Sequence, residues 1–293
     1  MESARCKAFI AAAECGSLSK AAEQLNYTAS GVSQLISAME NDFGFALLKR
    51  TTKGVSLTLE GEQMLPAVRA FVQQENRMYE LAANINGLDI GVINIAAYSS
   101  IATHWLPKVI AGFKQMYPNI HINMMEGVRQ EVLRWMDEGK ADIGLLSGGD
   151  DMHYEWIPLA DDPMIAVLPK NHPLAEAEKY PLSRCESEKF IMPAMGRDDD
   201  VVKMFRKYGI EPDIAYSTNE SFSAWSMVEN GLGISITNEL LMHGWNCEVA
   251  KVPIYPPEKI TLGMIMPSVK HASPAVKRFV KYAEKELKQR HNN

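Results

Sequence analysis

Ser30, Ser33, Gln34 and Ser37 recur at three- and four-residue intervals, against an apolar row of Val32, Leu35, Ile36 and Met39. At helical spacing the polar four share one face. Their side chains donate and accept hydrogen bonds and can reach base edges in a major groove. Short neutral side chains are equally at home as solvated positions, and many three-helix units bind no nucleic acid. A cationic, glycine-containing run, Lys49-Arg50-Thr51-Thr52-Lys53-Gly54, follows between two short apolar stretches. Lys49, Arg50 and Lys53 could touch phosphates, a contact that positions a protein without reading sequence. The alternative is a solvated turn.

A second group of polar residues sits where predicted strands give way to helices. Ser99 and Ser100 join the first such strand to its helix, with Thr103 one turn further on. Gly127, Val128 and Arg129 follow the second strand, and Ser147 the third. Met195, Arg197 and Asn219 lie at the matching edges of a later half. Ligands bind beyond the carboxyl ends of strands in open α/β sheets. Amides at a helix start attract anions, and hydroxyls add donors. Each serine could also be a plain N-cap. Arg129 and Arg197 could hold an anion, whereas Asp198-Asp199-Asp200 could cap a helix and repel one.

These side chains need elements to hold them. Phe9, Ile10, Ala12 and Ala13 predict a helix from about Ser3 to Cys15, closed by Gly16. Ser17 caps a second helix with Leu18, Ala21, Ala22 and Leu25 inward, broken by Asn26-Tyr27. A third runs from about Thr28 to Gly44. Two short helices joined by a tight turn follow the helix-turn-helix plan, and Ser17 and Thr28 join the candidate DNA contacts. Leu47-Leu48 and Val55-Ser56-Leu57 predict a β-wing around the cationic tip.

Thr58 caps a long helix to about Ile85. Met64, Val68, Phe71, Glu75, Met78, Ala82 and Ile85 form a heptad seam interrupted by Glu75, with Leu65, Val72 and Tyr79 alongside. Such a stripe buries itself against a second copy or against the chain's own body. Pro66 should bend the helix near its start.

From Gly91 the texture becomes alternating strands and helices: Val92–Ala97, helix Ile101–Met116, Ile120–Met124, helix Val128–Glu138, Asp142–Leu146. The alternation pauses near Trp156–Leu168, with a strand at Ile165–Leu168. It resumes as Lys189–Met192, helix Asp200–Tyr208, Ile214–Tyr216, helix Ser221–Asn230, Gly233–Ile236, Ile260–Met266 and helix Pro274–Gln289. Repeated βα units imply a mainly parallel sheet. Two lobes are expected, with crossings near Asp161–Pro163 and Met266–Pro267 and a ligand cleft between them.

With 293 residues, 46% hydrophobic and 23% charged, the chain suits two or three globular units. A net charge of −6 speaks against nonspecific nucleic-acid coating but leaves room for a local basic patch. Cys6, Cys15, Cys185 and Cys247 have no CxxC spacing and read as free thiols. The seven histidines make no metal-ligand pattern. Ser147-Gly148-Gly149 and Gly231-Leu232-Gly233 are too short for a nucleophile elbow or phosphate loop, and no carboxylate pair stands out. An enzyme is therefore not expected, nor a cofactor beyond a small-molecule effector. No cationic start with an apolar run opens the chain and no stretch has membrane-spanning length, which predicts a cytoplasmic protein. The same point weighs against a pure solute-binding protein, which the last two hundred residues would otherwise permit.

One set of residues resembles a known family. Phe9, Ala13-Glu14-Cys15-Gly16-Ser17-Leu18, Ala21-Ala22, Leu25, Val32-Ser33, Ile36, Met39-Glu40, Phe43-Gly44, Leu47-Leu48, Arg50, Leu57-Thr58 and Gly61 fall in the register of the LysR-type transcription regulators. His172-Pro173-Leu174-Ala175 and Met227 to Ile234 are similar to two further segments of that family. Thr28-Ala29 stands where the family commonly has Ser-Gln, Gln34 where it often has Arg, and Leu48 for Phe. Losing a Gln and an Arg removes strong base or phosphate contacts, which implies an unusual operator or modest affinity. In the family the Ser99-Ser100 loop holds effector carboxylates or similar acceptors, and Val128 stands where several members use a hydroxyl.

The resemblance implies an α/β protein with an N-terminal winged helix-turn-helix (1–58), a dimerising linker helix (59–87) and a two-lobed, periplasmic-binding-protein-like effector domain (88–293). Lobe I would span about 91–161 and 267–293, and lobe II about 162–266. It further implies a homodimer or homotetramer on an inverted-repeat DNA operator, gated by a small-molecule effector, with RNA polymerase among its potential contacts. Effector identity, target genes and the sign of regulation are not legible.

Overall fold

The computed structural model describes residues 2–51, 54–149, 153–197 and 199–291. The chain divides into two compact units, Met1–Ile90 with Asp137–Lys140, and Gly91–Met136 with Ala141–Asn293.

The first unit begins with α1 (Ser3–Cys15), α2 (Leu18–Leu25) and α3 (Ala29–Phe43). Local chemistry sets their ends. The Ser17 Oγ accepts from Lys20 N at 3.4 Å, and the Thr28 Oγ1 accepts from Gly31 N at 3.1 Å. Gly16 and Gly44 terminate α1 and α3 with positive φ (60° and 81°). Phe9, Ala12, Ala21, Val32, Ile36 and Met39 bury against one another. Strands β1 (Leu48–Thr51) and β2 (Gly54–Leu57) pair antiparallel as the wing. The Glu40 carboxylate accepts from the amides of Leu47 (2.7 Å) and Leu48 (3.1 Å), fixing the chain as it leaves α3 for β1.

Helix α4 (Leu59–Ile85) runs through Pro66. Thr58 anchors its start: Oγ1 accepts from Gly61 N at 2.9 Å and donates to the Ala46 carbonyl at 2.8 Å. The expected seam divides in two. Leu65 and Val68, with Met64 and Val72, pack into the helix-turn-helix core of the same chain. Glu75, the interruption in the stripe, pairs with Lys7 Nζ at 2.8 Å and accepts from Ser3. Phe71, Met78, Tyr79, Leu81 and Ile85 are exposed.

In the second unit, lobe I holds β3 (Gly91–Ala97), α5 (Ser99–His104), α6 (Leu106–Met116), β4 (Ile120–Glu126), α7 (Arg129–Asp137) and β5 (Ile143–Ser147). The single helix expected over Ile101–Met116 is two helices meeting at Trp105 (φ −105°, ψ −53°). Pro107 cannot donate to a carbonyl one turn back, so it opens a new helix.

Strand β6 (Glu155–Pro169) spans the region where the pattern was expected to pause. Its first part pairs with β12 (Lys259–Met266), from Glu155↔Met266 to Pro163↔Lys259. Its second part pairs with β10 (Ser235–Asn238) and β11 (Val249–Tyr255). The lobes share this strand, whose partner changes from β12 at Pro163 to β10 and β11 from Met164 and Ile165 onward. The return crossing does not lie at Met266–Pro267. Because Leu262 to Ile265 of β12 already pair with β5, the chain recrosses between Tyr255 and Lys259, and β12 belongs with lobe I.

Lobe II also contains β7 (Tyr180–Pro181), β8 (Phe190–Met192), α8 (Asp199–Tyr208), β9 (Ile214–Ser217) and α9 (Ser221–Glu229). Strand β3 lies between β4 and β5 and is parallel to both, and β8 is parallel to β9, but β12, β10 and β11 run antiparallel to β6. The sheets are therefore mixed rather than mainly parallel. Helix α10 (Pro274–His291) returns to lobe I, where Phe279 packs edge-on against Phe113 at 5.1 Å.

The hinge carries a buried carboxyl. Asp162 accepts from Asn238 Nδ2 at 2.6 Å and Leu240 N at 3.0 Å, and burial pushes it above the usual carboxylate range. His172 is a turn-former: its Nδ1 accepts from Leu174 N at 3.1 Å while Nε2 faces Glu188 at 3.2 Å. All four cysteines are free, and burial pushes the Cys185 thiol up to about 12, which keeps it protonated and unreactive at neutral pH.

Candidate DNA surface and effector cleft

Helix α3 offers its polar row outward. Ser30 and Gln34 are exposed, and Ser33 and Ser37 half-buried. The wing reaches this row: Arg50 Nη2 donates to the Ser33 Oγ at 2.6 Å. That bond spans 17 residues and holds a guanidinium beside the face that would enter a groove. Ser17 and Thr28 are occupied as caps, and Thr28 also lies 3.1 Å from Ser30 Oγ. Lys49 is exposed on β1. Lys53 lies outside the described residues. The sequence reading did not include Tyr27, which is half exposed just before α3; its aromatic character amid polar neighbours was the available signal.

In the second unit a cleft opens between the lobes, enclosing about 550 Å³ of empty space with its mouth included. Lobe I contributes Tyr98, Ser99, Ser100, Gly127, Val128 and Arg129, and the opposite wall is Met164, Ala194, Asp200, Ser221, Asn238 and Leu241. Five of the residues expected here thus line one cavity.

Ser100 is 2% exposed, and its hydroxyl has no hydrogen-bond partner in the protein. A buried hydroxyl without a partner costs free energy. Arg129 is equally buried, and its Nη1 donates to the Ser147 carbonyl (2.5 Å) and approaches the Ser147 Oγ (3.3 Å). Ser147 lies just behind the lining. Its hydroxyl donates across the cleft to Asp200 Oδ1 at 2.7 Å, so the Tyr98 hydroxyl, 3.0 Å away, is the donor of that second pair. The Val128 amide is capped by Glu131 Oε2 at 3.1 Å.

Besides Ser147, four expected residues lie off the lining. Thr103 is exposed, because Ile101, Ala102 and Trp105 define the buried face of α5. Met195 is 59% exposed on a neighbouring groove; the left-handed backbone of Ala194 and Met195 (φ 51° and 53°) accompanies Ala194 on the cleft wall instead. Arg197 spans the rim, its Nη1 3.2 Å from Glu131 Oε1 and its Nη2 2.5 Å from Asn219 Oδ1. Arg197 and Asn219 therefore tie lobe II to α7 of lobe I. Met164, Asn238 and Leu241 are not legible in the sequence as site residues because the hinge strand, the end of β10 and the turn after it deliver them to the cleft.

Among the described residues, no group of three or more His, Cys, Asp or Glu could hold a metal, and no helix is long and apolar enough to cross a membrane.

Residues 4–62 match the family model described as bacterial regulatory helix-turn-helix protein, lysR family, and residues 86–288 match that of the LysR substrate binding domain. The HTH-type transcriptional regulator YvbU of Bacillus subtilis (strain 168), itself uncharacterized, is 32% identical over 281 residues, covering 95% of this chain and 96% of that protein. Among solved structures, a full-length OxyR from Pseudomonas aeruginosa is similar at a TM-score of 0.78 with 18% identity, covering 98% of this chain and 94% of that one. Full-length CbnR complexed with its target DNA is similar at a TM-score of 0.68 with 21% identity, covering 97% and 99%.

Proposed function

The chain belongs to the LysR family of transcription regulators, and from that premise we propose how its parts act together. A homodimer or homotetramer joined through α4 sets two copies of α3 against an inverted-repeat DNA operator. A small molecule in the interlobe cleft biases one arrangement of the assembly over another, and so changes promoter binding or activation. The protein works in the cytoplasm, and RNA polymerase is a further candidate partner.

The observation that carries the DNA reading is the Arg50–Ser33 bond beside the exposed Gln34. It couples a phosphate-binding type of side chain to a base-reading type on one surface. Ser30 and Ser37 flank Gln34 on the same face, and Lys49 extends the cationic edge. In the cleft, the lone hydroxyl of Ser100 plays the matching role for the effector, with Ser99 beside it and Arg129 behind.

Mobility shifts with DNA from the region upstream of the chain's own gene test the DNA reading. Arg50→Ala should weaken binding roughly tenfold across sequences, the loss of about one phosphate contact. Gln34→Ala should instead change which bases are preferred at one position per half-site, by roughly 1–3 kcal/mol of discrimination. If both variants bind every duplex as the parent does, α3 and the wing are not the contact surface.

A further inference from the structure

Four aromatic residues lie in the first 58 positions: Phe9, Tyr27, Phe43 and Phe45. Three are held by the protein itself. Phe9 is fully buried, Phe43 packs against the helix-turn-helix core, and Phe45 stacks on Phe43 at 5.7 Å. Tyr27 is 51% exposed. Its backbone is nonetheless fixed. Asn26 before it takes the left-handed conformation (φ 56°), and the Tyr27 amide donates to the Ala22 carbonyl at 2.9 Å. The ring lies along the first turn of α3: a Cβ on Gly31 would fall 3.9 Å from Tyr27 Cδ1. Gly31 comes three residues before Gln34, so at helical spacing the two share one side. Tyr27 therefore extends, at its N-terminal end, the face on which Ser30 and Gln34 are exposed.

The chemistry at that end is mostly apolar. Thr28 Oγ1 accepts from the Gly31 amide at 3.1 Å. The Thr28 and Ser30 hydroxyls, 3.1 Å apart, bond to each other, which spends one of their two protons within the protein. The exposed side chain of Ala29 is a methyl, and Gly31 has none. In a helix-turn-helix the N-terminal residues of the second helix contact base edges in the major groove. Among the groups that the four bases present there, one is apolar, the thymine 5-methyl. An aromatic ring at this position matches that group by burying it.

We propose that Tyr27 is a specificity-determining residue of the DNA surface: its ring packs against the 5-methyl of one thymine in each half-site, beside the base pair faced by Gln34. This rests on the reading of α3 and the wing as the DNA surface. Deoxyuridine in place of that thymine removes the methyl, and the contact with it, while every base-pair hydrogen bond stays in place. The phenol hydroxyl takes no part, so the contact survives in phenylalanine.

Duplexes enriched by the full-length protein from a random library supply the operator. Its thymines are then replaced by deoxyuridine, singly and in symmetry-related pairs. Mobility shifts at one salt concentration give the affinities of the parent, Tyr27→Phe and Tyr27→Ala. For the parent, one pair of thymines should show a loss of roughly fourfold when one half-site is changed and about fifteenfold when both are, the value of one buried methyl at each. Tyr27→Phe should keep that ratio. Tyr27→Ala should bind the thymine operator at least as weakly as the parent binds the doubly substituted one, and should bind both duplexes alike. A residue that only shaped the turn before α3 would, on substitution, weaken binding to both duplexes by one factor and leave the parent's ratio intact. That result in Tyr27→Ala overturns the proposal. A parent indifferent to deoxyuridine at every thymine overturns it too, and in either case the enriched operator leaves the DNA reading standing. If the parent enriches no duplex, the DNA reading falls and the proposal with it.

Discussion

Glutamate at both Met78 and Ile85 is expected to turn the protein into a monomer and to lower its affinity for operator DNA at least about a hundredfold, the advantage that two linked heads have over one. In one chain these side chains are 65% and 85% exposed, so the substitutions remove little packing within the fold. Phe71, Met78 and Ile85 recur at sevenfold spacing, with Tyr79 and Leu81 beside them, all exposed. On the proposed pairing of two copies through α4, this spacing supplies the coiled-coil seam. The N-terminal half of α4 does not share this role, since Leu65 and Val68 are consumed by the core of their own helix-turn-helix. Substituting those two would unfold the head rather than separate the copies. Sedimentation velocity and mobility shift together check the expectation. A double variant that stays dimeric at micromolar concentration and binds DNA like the parent would remove α4 as the dimer element.

The second large effect is expected at Gly61. Alanine in an exposed helix normally gains about 1 kcal/mol over glycine. Here a Cβ would fall 2.1 Å from the Leu47 carbonyl oxygen and 3.2 Å from Leu57 Cδ2. The nearest atom is backbone, and it already accepts from the Thr58 amide at 3.0 Å. It cannot move without pulling the wing from α4. Overpacking of this kind costs about 1–3 kcal/mol, more than the helix propensity returns. Gly61→Ala should therefore speed hydrogen exchange of the helix-turn-helix amides by up to roughly thirtyfold and weaken specific DNA binding, while leaving the second unit unchanged. Glu62→Ala, at the exposed neighbouring position, should change neither. Unaltered protection in Gly61→Ala would show that the turn before α4 yields more easily than this packing implies.

The two units differ in how much of them is legible in the chain. The first is set by local signals: Ser17, Thr28 and Thr58 begin helices, and Gly16 and Gly44 end them, each within a turn of its element. In the second unit, β6 was unreadable as one strand because its halves answer to different partners, β12 in lobe I and β10 with β11 in lobe II. Nothing near Trp156 or Leu168 encodes those partners. The cleft shows the same division. Ser99, Ser100 and Arg129 stand at ends of elements that a reader can place, whereas Met164 and Leu241 arrive through the hinge. Asp200 looked like one more acid in a helix-capping run, and only its bond to Ser147 reveals it as a wall of the cavity. Arg50 was legible as a phosphate contact, but its anchoring by Ser33 depends on the wing folding back over α3.

The central claim is that two copies of this chain read DNA as a symmetric pair. Selection of bound duplexes from a random library by the full-length protein tests it most directly. The enriched sequences should contain two half-sites in inverted orientation at fixed spacing. Enrichment of a lone half-site, or no enrichment over the starting library, would contradict it.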